Sequence, residues 1–434
     1  MDVSPRPASV RLHLIYSVVD SLTALSSFAA DCDTGATPSD LLHFAKQKLH
    51  CGDICRDNMT PEGILACLSV RFALELDLSV PGSRSIAGTQ VKQHLRLCSR
   101  ATPGFDYLFT FAGSAPFLAE AAAGLIRHQS SDTAVKLLAT HPHLSFIDCG
   151  RPGELAASLL IMKAKDLGHT NRQWHPKTCS CKWDYVRDFM EALLPQDAYE
   201  ALISTPPAYH LPDGQNTSFK AVFNDSKIWF NHIIKVEHGE MIHVRHLWKF
   251  VSRGAMIICP PGNCGIDIVI PVCFKGNALT RENMTAILIQ IKTDKHQFSG
   301  DLFGYMDPFD VGLFSDGDTP LPVIRMVFAL GSDDPDVTFP AEEKSRLAGR
   351  FSSYDIWCEG LSQRTFACGD DLPSYQALLE RSLQDSKLYD LVDIPVRFPT
   401  KRYISGRVDA RRRARTLAGR HPAHNEKYKA QTYQ

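Results

Sequence analysis

Two nearly continuous apolar runs constrain this chain more than any other feature. The first is Gly265-Ile266-Asp267-Ile268-Val269-Ile270-Pro271-Val272, and the second is Ala286-Ile287-Leu288-Ile289-Gln290-Ile291-Lys292. Both are short, rich in β-branched residues and bounded by Gly, Pro or Asn, which predicts strands rather than helices. Side chains alternate across a strand, so Ile287, Ile289 and Ile291 share one face, and Leu288, Gln290 and Lys292 share the other. Asp267 is the single charge in its run. A carboxylate in such surroundings is costly unless it is paired or bound to a cation.

A hairpin turning through 275–283 brings Asp267 towards Gln290 and Lys292. A carboxylate and an amide oxygen suit Mg²⁺, and a lysine beside them can orient or activate water. Plainer roles exist for the same residues. Asp267 can cap a turn or pair with Arg253, and Lys292 can snorkel from a strand end.

Further strands are expected at 255–259, 322–330 and 353–358, and a loop at 301–318. Helices are expected at 241–251, closed by Gly254, and at 372–386. Upstream the period changes, and residues 1–205 read as a helical region. Thr60-Pro61-Glu62 is an N-cap, a proline at the first helical position and an acid in the first turn. Pro152-Gly153-Glu154 opens another helix, and 184–194 and 198–203 continue the helical spacing. Residues 206–224, whose first part is rich in Pro, Gly and Asn, form the expected linker. The expected class is therefore α/β (α+β): a mixed sheet flanked by helices at 225–395, after a mostly helical N-terminal region.

An Asp followed some twenty residues later by (Glu or Gln)-x-Lys, after a helix and a strand, resembles the PD-(D/E)XK nuclease superfamily with its restriction-endonuclease-like core. The residues that carry the resemblance are Arg253-Gly254-Ala255, Gly265-Ile266-Asp267, Ile270-Pro271 and Ala286 to Lys292. Met306-Asp307-Pro308-Phe309-Asp310, Ile324 to Leu330 and Asp355-Ile356-Trp357-Cys358 extend it. The fuller pattern is similar to expanded families of basidiomycete fungal proteins, some associated with transposons or Crinkler-type effectors. The resemblance implies phosphodiester hydrolysis of DNA or RNA by a metal-activated water, with Mg²⁺ or Mn²⁺ as cofactor. It places Asp267 and Gln290 on the metal, Lys292 as the catalytic lysine and Glu240 as the helper acid from a helix. Gln290 is neutral where the motif often has Glu, which removes one charge from the metal site. The alternative is a nuclease-like fold without catalysis, acting as a nucleic-acid- or protein-binding module.

Net charge is −1 and unevenly spread: from Lys401 onward there are ten Lys or Arg against two acids, leaving −9 on the remainder. Within that tail, 396–434, Arg411, Arg412, Arg413 and Arg415 would neutralise phosphates in a salt-dependent way, or serve as a nuclear-import address. A solvated terminus explains them equally well. His175, Cys179 and Cys181 offer three zinc ligands where four are wanted, so a metal-free reduced loop is the expectation. The 13 cysteines are odd in number and scattered, which fits a reducing intracellular setting in nucleus or cytoplasm. The stretch 6–30 is similar to a signal peptide but is interrupted by His13 and Asp20. With 44% apolar and 22% charged residues the chain is not wholly disordered. It has no run of about 20 uncharged apolar residues to span a membrane, no phosphate loop and no Gly-x-Ser-x-Gly elbow.

Overall fold

The structure is a computed structural model. It describes residues 46, 49, 59–74, 76, 81–101, 108–113, 116–127, 133–140, 153–170, 183–209, 217–260, 265–275, 279–293, 302–340, 350–367 and 371–391. It divides into two compact units, Met1–Gln384 and Asp385–Gln434, and nearly all the described residues belong to the first.

The N-terminal half carries helices α1 (Pro61–Phe72), α2 (Pro81–Lys92), α3 (Pro116–Arg127), α4 (Thr133–Thr140) and α5 (Glu154–Thr170). Helix α1 begins as its sequence dictates: the Thr60 hydroxyl accepts from the Gly63 N–H at 3.2 Å, and Pro61 occupies the first turn, where no N–H is needed. A hairpin of β1 (Leu97–Ala101) and β2 (Leu108–Phe111) interrupts the helices expected there.

The second half opens on β3 (Asp184–Tyr185), α6 (Val186–Leu193), α7 (Gln196–Ser204) and α8 (Phe219–Phe223). Helix α8 lies at the end of the expected linker. It forms because Phe219 and Phe223, one turn apart, both bury completely, and Ser218 caps it. Then follow β4 (Lys227–Ile228), β5 (His232–Lys235), a 3₁₀ turn (Gly239–Ile242), α9 (Val244–Ser252), β6 (Ala255–Ile258), β7 (Ile268–Cys273), β8 (Met284–Lys292), α10 (Leu302–Tyr305), β9 (Val323–Ala329), β10 (Asp336–Thr338), β11 (Ser353–Glu359) and α11 (Leu372–Leu391). The fold is mixed α/β, with eleven helices among the described residues.

Nine strands make one curled mixed sheet. The order is β10-β11-β9-β8-β7, with β8 parallel to β9, β9 parallel to β11 and β7 antiparallel to β8. Beyond β7 the sheet forks. Ile268 and Val269 pair with β6, whereas Val272 and Cys273 pair with β4. Ile270 and Pro271 fall in the gap between these partners. A central strand rarely tolerates proline because it removes a ladder N–H; here Pro271 sits where that edge has no ladder to complete.

Both faces of the sheet are covered, which is why β7, β8 and β9 read as continuous apolar runs. On the larger side Ile268, Ile270, Ile287, Ile289, Met326 and Phe328 meet α1, α5, α6, α8 and α11 in one core. The helical half and the sheet therefore share a core rather than owning separate ones. On the smaller side Val269, Leu288 and Val327 meet Leu247, Phe250 and Val251 of α9, together with the 302–314 segment. Burying such side chains contributes roughly 1.5–3 kcal/mol each.

Polar anchors hold the layers in register. Arg71 of α1, buried, donates to the Asn231 carbonyl at 3.1 Å and to both Asp166 oxygens of α5 at 2.8 and 3.1 Å; Arg127 of α3 reaches Asp166 at 3.2 Å. On the other face Arg325 of β9 makes a two-pronged pair with Asp355 of β11 and donates to the Phe303 carbonyl at 2.6 Å. Tyr209, Phe303 and Phe351 ring its guanidinium.

Candidate active site

The ladder between β7 and β8 runs regularly from Cys273↔Met284 to Ile268↔Ile289 and then breaks at Asp267. There the backbone N–H donates to the Ile289 carbonyl at 2.9 Å, while the carbonyl accepts from Cys259 of the opposite neighbour at 2.8 Å. An N–H and a carbonyl of one residue pointing to different strands is the signature of a bulge. Ile266 accordingly joins the smaller core together with Val269, three positions on, where unbroken alternation would put them on opposite faces.

The bulge turns the Asp267 side chain towards β8. Its Oδ2 accepts from the Ile291 N–H at 2.7 Å, so the carboxylate does the work of a ladder carbonyl between Gln290 and Lys292. Asp267 is 5% exposed. Gly265 allows the chain to arrive there: its φ is 91°, and a methyl group on it would overlap the Tyr305 carbonyl.

Gln290 is 4% exposed and Lys292 partly exposed on the same side of β8 as Leu288. The Gln290 Oε1 is buried without any hydrogen-bond donor. A buried amide oxygen left without a partner costs about 1–3 kcal/mol, and a hard cation is one of the partners that would satisfy it. Two protein oxygens, one of them a carboxylate, are the kind of donor set with which Mg²⁺ is held when waters and a substrate phosphate complete its octahedron.

Glu240 is not brought into this group by any observed interaction. It lies exposed on the 3₁₀ turn ahead of α9, because the helix expected from residue 241 begins only at Val244. A carboxylate that sequence reasoning passed over is Glu154. It opens α5 and is 7% exposed, and the preceding Gly153, at φ 97°, packs against Thr293, the residue after Lys292. The signal was present in Pro152-Gly153-Glu154, read as a helix start alone.

His243 forms a second constellation that invites a nucleophilic reading. Its Nε2 lies 2.7 Å from the Ser315 hydroxyl and 3.4 Å from Asp318. The Nδ1, however, accepts from the Arg245 N–H at 3.2 Å, so the proton sits on Nε2 and the ring donates to the serine. A base that already holds its proton on that nitrogen does not activate the hydroxyl, and the carboxylate is on the wrong nitrogen. His243 is a helix cap.

Among the described residues no three His, Cys, Asp or Glu side chains are grouped to hold a metal, and no helix is long and apolar enough to cross a membrane. Among the described residues Cys67, Cys98, Cys259, Cys273 and Cys358 are not joined in disulfides. His175, Cys179, Cys181 and the arginines 411–413 and 415 lie outside the described residues. A cavity of about 280 Å³, lined by Tyr199, Phe219 and Phe223 among others, lies towards the opposite end of β7, where Phe223 meets Phe274. No family model, curated protein or solved structure matches the chain.

Proposed function

We propose that this protein is a divalent-metal-dependent nuclease with a restriction-endonuclease-like sheet, whose site is Asp267, Gln290 and Lys292. The observation that carries the reading is the partnerless buried oxygen of Gln290, one residue from the peptide that the Asp267 carboxylate holds. Asp267 and Gln290 present the oxygens for Mg²⁺ or Mn²⁺. The bound ion would polarise a phosphate oxygen and lower the pKa of an attendant water. Lys292, two residues along the same side of β8, would orient that water and offset charge on the phosphate. Glu154, buried at the start of α5 beside Thr293, is a second candidate for the helper acid, although α5 packs on the face of β8 opposite Gln290 and Lys292.

The test is cleavage of single- and double-stranded DNA and RNA with Mg²⁺ and with Mn²⁺. Lys292→Ala and Asp267→Ala should each lower the rate by about 10²-fold or more. Gln290→Glu should tighten metal binding by restoring the missing charge, read by titration calorimetry. Cleavage that survives both alanine variants discards the site.

A non-catalytic binding module is favoured by one observation: Asp267 already serves as a backbone acceptor, which by itself accounts for a carboxylate there. In that case no metal supports cleavage, and Asp267→Asn alters stability alone.

A further inference from the structure

The smaller core is covered by α9 and the 302–314 segment, on the side of the sheet that carries Gln290 and Lys292. The outer surface of α9 is unlike the rest of the described surface. Leu247, Phe250 and Val251 bury, while Arg245, Trp248, Lys249, Ser252 and the following Arg253 are exposed. At 3.6 residues per turn those five span an arc of roughly 140°, a single outward face. Just four large apolar side chains are exposed among the described residues, and three of them, Met241, Trp248 and Tyr305, belong to the segments that cover this side. Tyr305 is 63% exposed, and its backbone lies against Gly265, two residues before Asp267.

The charge on this face is positive. His246, half-buried on α9, is held below its usual range first by burial and then by Arg245, Lys249, His243 and Arg281, with no acid opposing them. Arg281 comes from the 3₁₀ turn Arg281–Asn283, which packs against α9. Exposed acids do flank the helix: Glu237, Glu240 and Glu282. They do not reverse the field at His246.

We infer that this face docks single-stranded nucleic acid, with Trp248 and Tyr305 as platforms for unstacked bases and Arg245, Lys249, Arg253 and Arg281 facing the phosphates. Exposed aromatics among cations suit single strands because their bases have free π-faces, whereas those of a duplex are stacked. A purely acidic protein partner would use the cations but leave the aromatics without purpose. The inference deepens the nuclease reading by naming its substrate as single-stranded, and it concerns binding rather than cleavage.

The experiment is equilibrium binding of a fluorescein-labelled oligo-dT and oligo-rU to the full chain in EDTA, across a salt series. Single strands should bind more tightly than a duplex of equal length. Trp248→Ala should weaken binding about tenfold. Arg245→Ala with Lys249→Ala should reduce the slope of log affinity against log salt by about 1.4, at roughly 0.7 for each phosphate no longer neutralised; the C-terminal arginines contribute equally to both proteins. Circular dichroism checks that these exposed substitutions leave the fold intact. Binding unchanged by either variant overturns the inference, as does a preference for duplex or equal competition by polyglutamate. Binding lost in the α9 variants without any metal-dependent cleavage leaves this face standing and removes the nuclease reading; cleavage with unaltered binding does the reverse.

Discussion

Single positions in this protein carry decisions out of proportion to their size. Gly265 has a left-handed φ and no room for a methyl group beside the Tyr305 carbonyl. Gly265→Ala is expected to lower stability by at least about 2 kcal/mol, from backbone strain plus displacement of a main-chain carbonyl; an unchanged denaturant midpoint would contradict that. Gln290 is the opposite case, since the chain tolerates a buried oxygen it does not satisfy. The sequence shows Gln290 as the polar exception on an apolar strand, and Asp267 likewise. It does not show that Asp267 turns on a bulge, because a one-residue slip in the ladder leaves no compositional trace. Glu154 was obscured for a related reason: the pattern that starts a helix is indifferent to what lies across from it.

At the scale of elements, strand pairing follows the apolar runs closely. The strands expected at 255–259, 322–330 and 353–358 form as β6, β9 and β11, and the hairpin forms as β7 and β8. The two-residue strands β3 and β4 were illegible, being too short to show a period and held in place by the fork at Pro271. The Arg325–Asp355 pair fastens β9 to β11 beneath three aromatic rings. Burial opposes the charge on Arg325, but Asp355 outweighs it and keeps the guanidinium ionised. Asp355→Leu alone should cost about 3–5 kcal/mol by stranding a buried cation, whereas Arg325→Met with Asp355→Leu should lose far less. A thermal-unfolding double-mutant cycle checks this, and additive losses would show that the two residues act independently.

For the whole molecule, the buried polar layer between helices and sheet sets the response to acid. Burial is the chief reason His232 is lowered to about 4 from 6.5, and nearby Arg253 adds to it. The unfolded chain therefore takes up this proton first as pH falls. The neutral ring's contribution is whole above about pH 6.5 and is lost between there and about pH 4, to the extent of roughly 3 kcal/mol. Asp166 follows below that window: burial alone would raise it, but Arg71 and Arg127 prevail and hold it under its ordinary range, so its share fades only in stronger acid. His232→Gln should flatten the stability profile between pH 4 and 6.5 in urea titrations; an unaltered slope would assign the acid sensitivity elsewhere. The sequence by itself determined the alternation of helical and strand segments, the central hairpin and which polar residues stood out on it, because periodicity, capping and β-branched runs are local properties. Only the tertiary structure decided that the helical half and the sheet share one core, that the ladder slips at Asp267, and that α9 turns a basic aromatic face outward on the side of the sheet that carries Gln290 and Lys292. Those outcomes depend on which surfaces meet, and the meeting of residues far apart in the chain is not encoded in any short stretch of it.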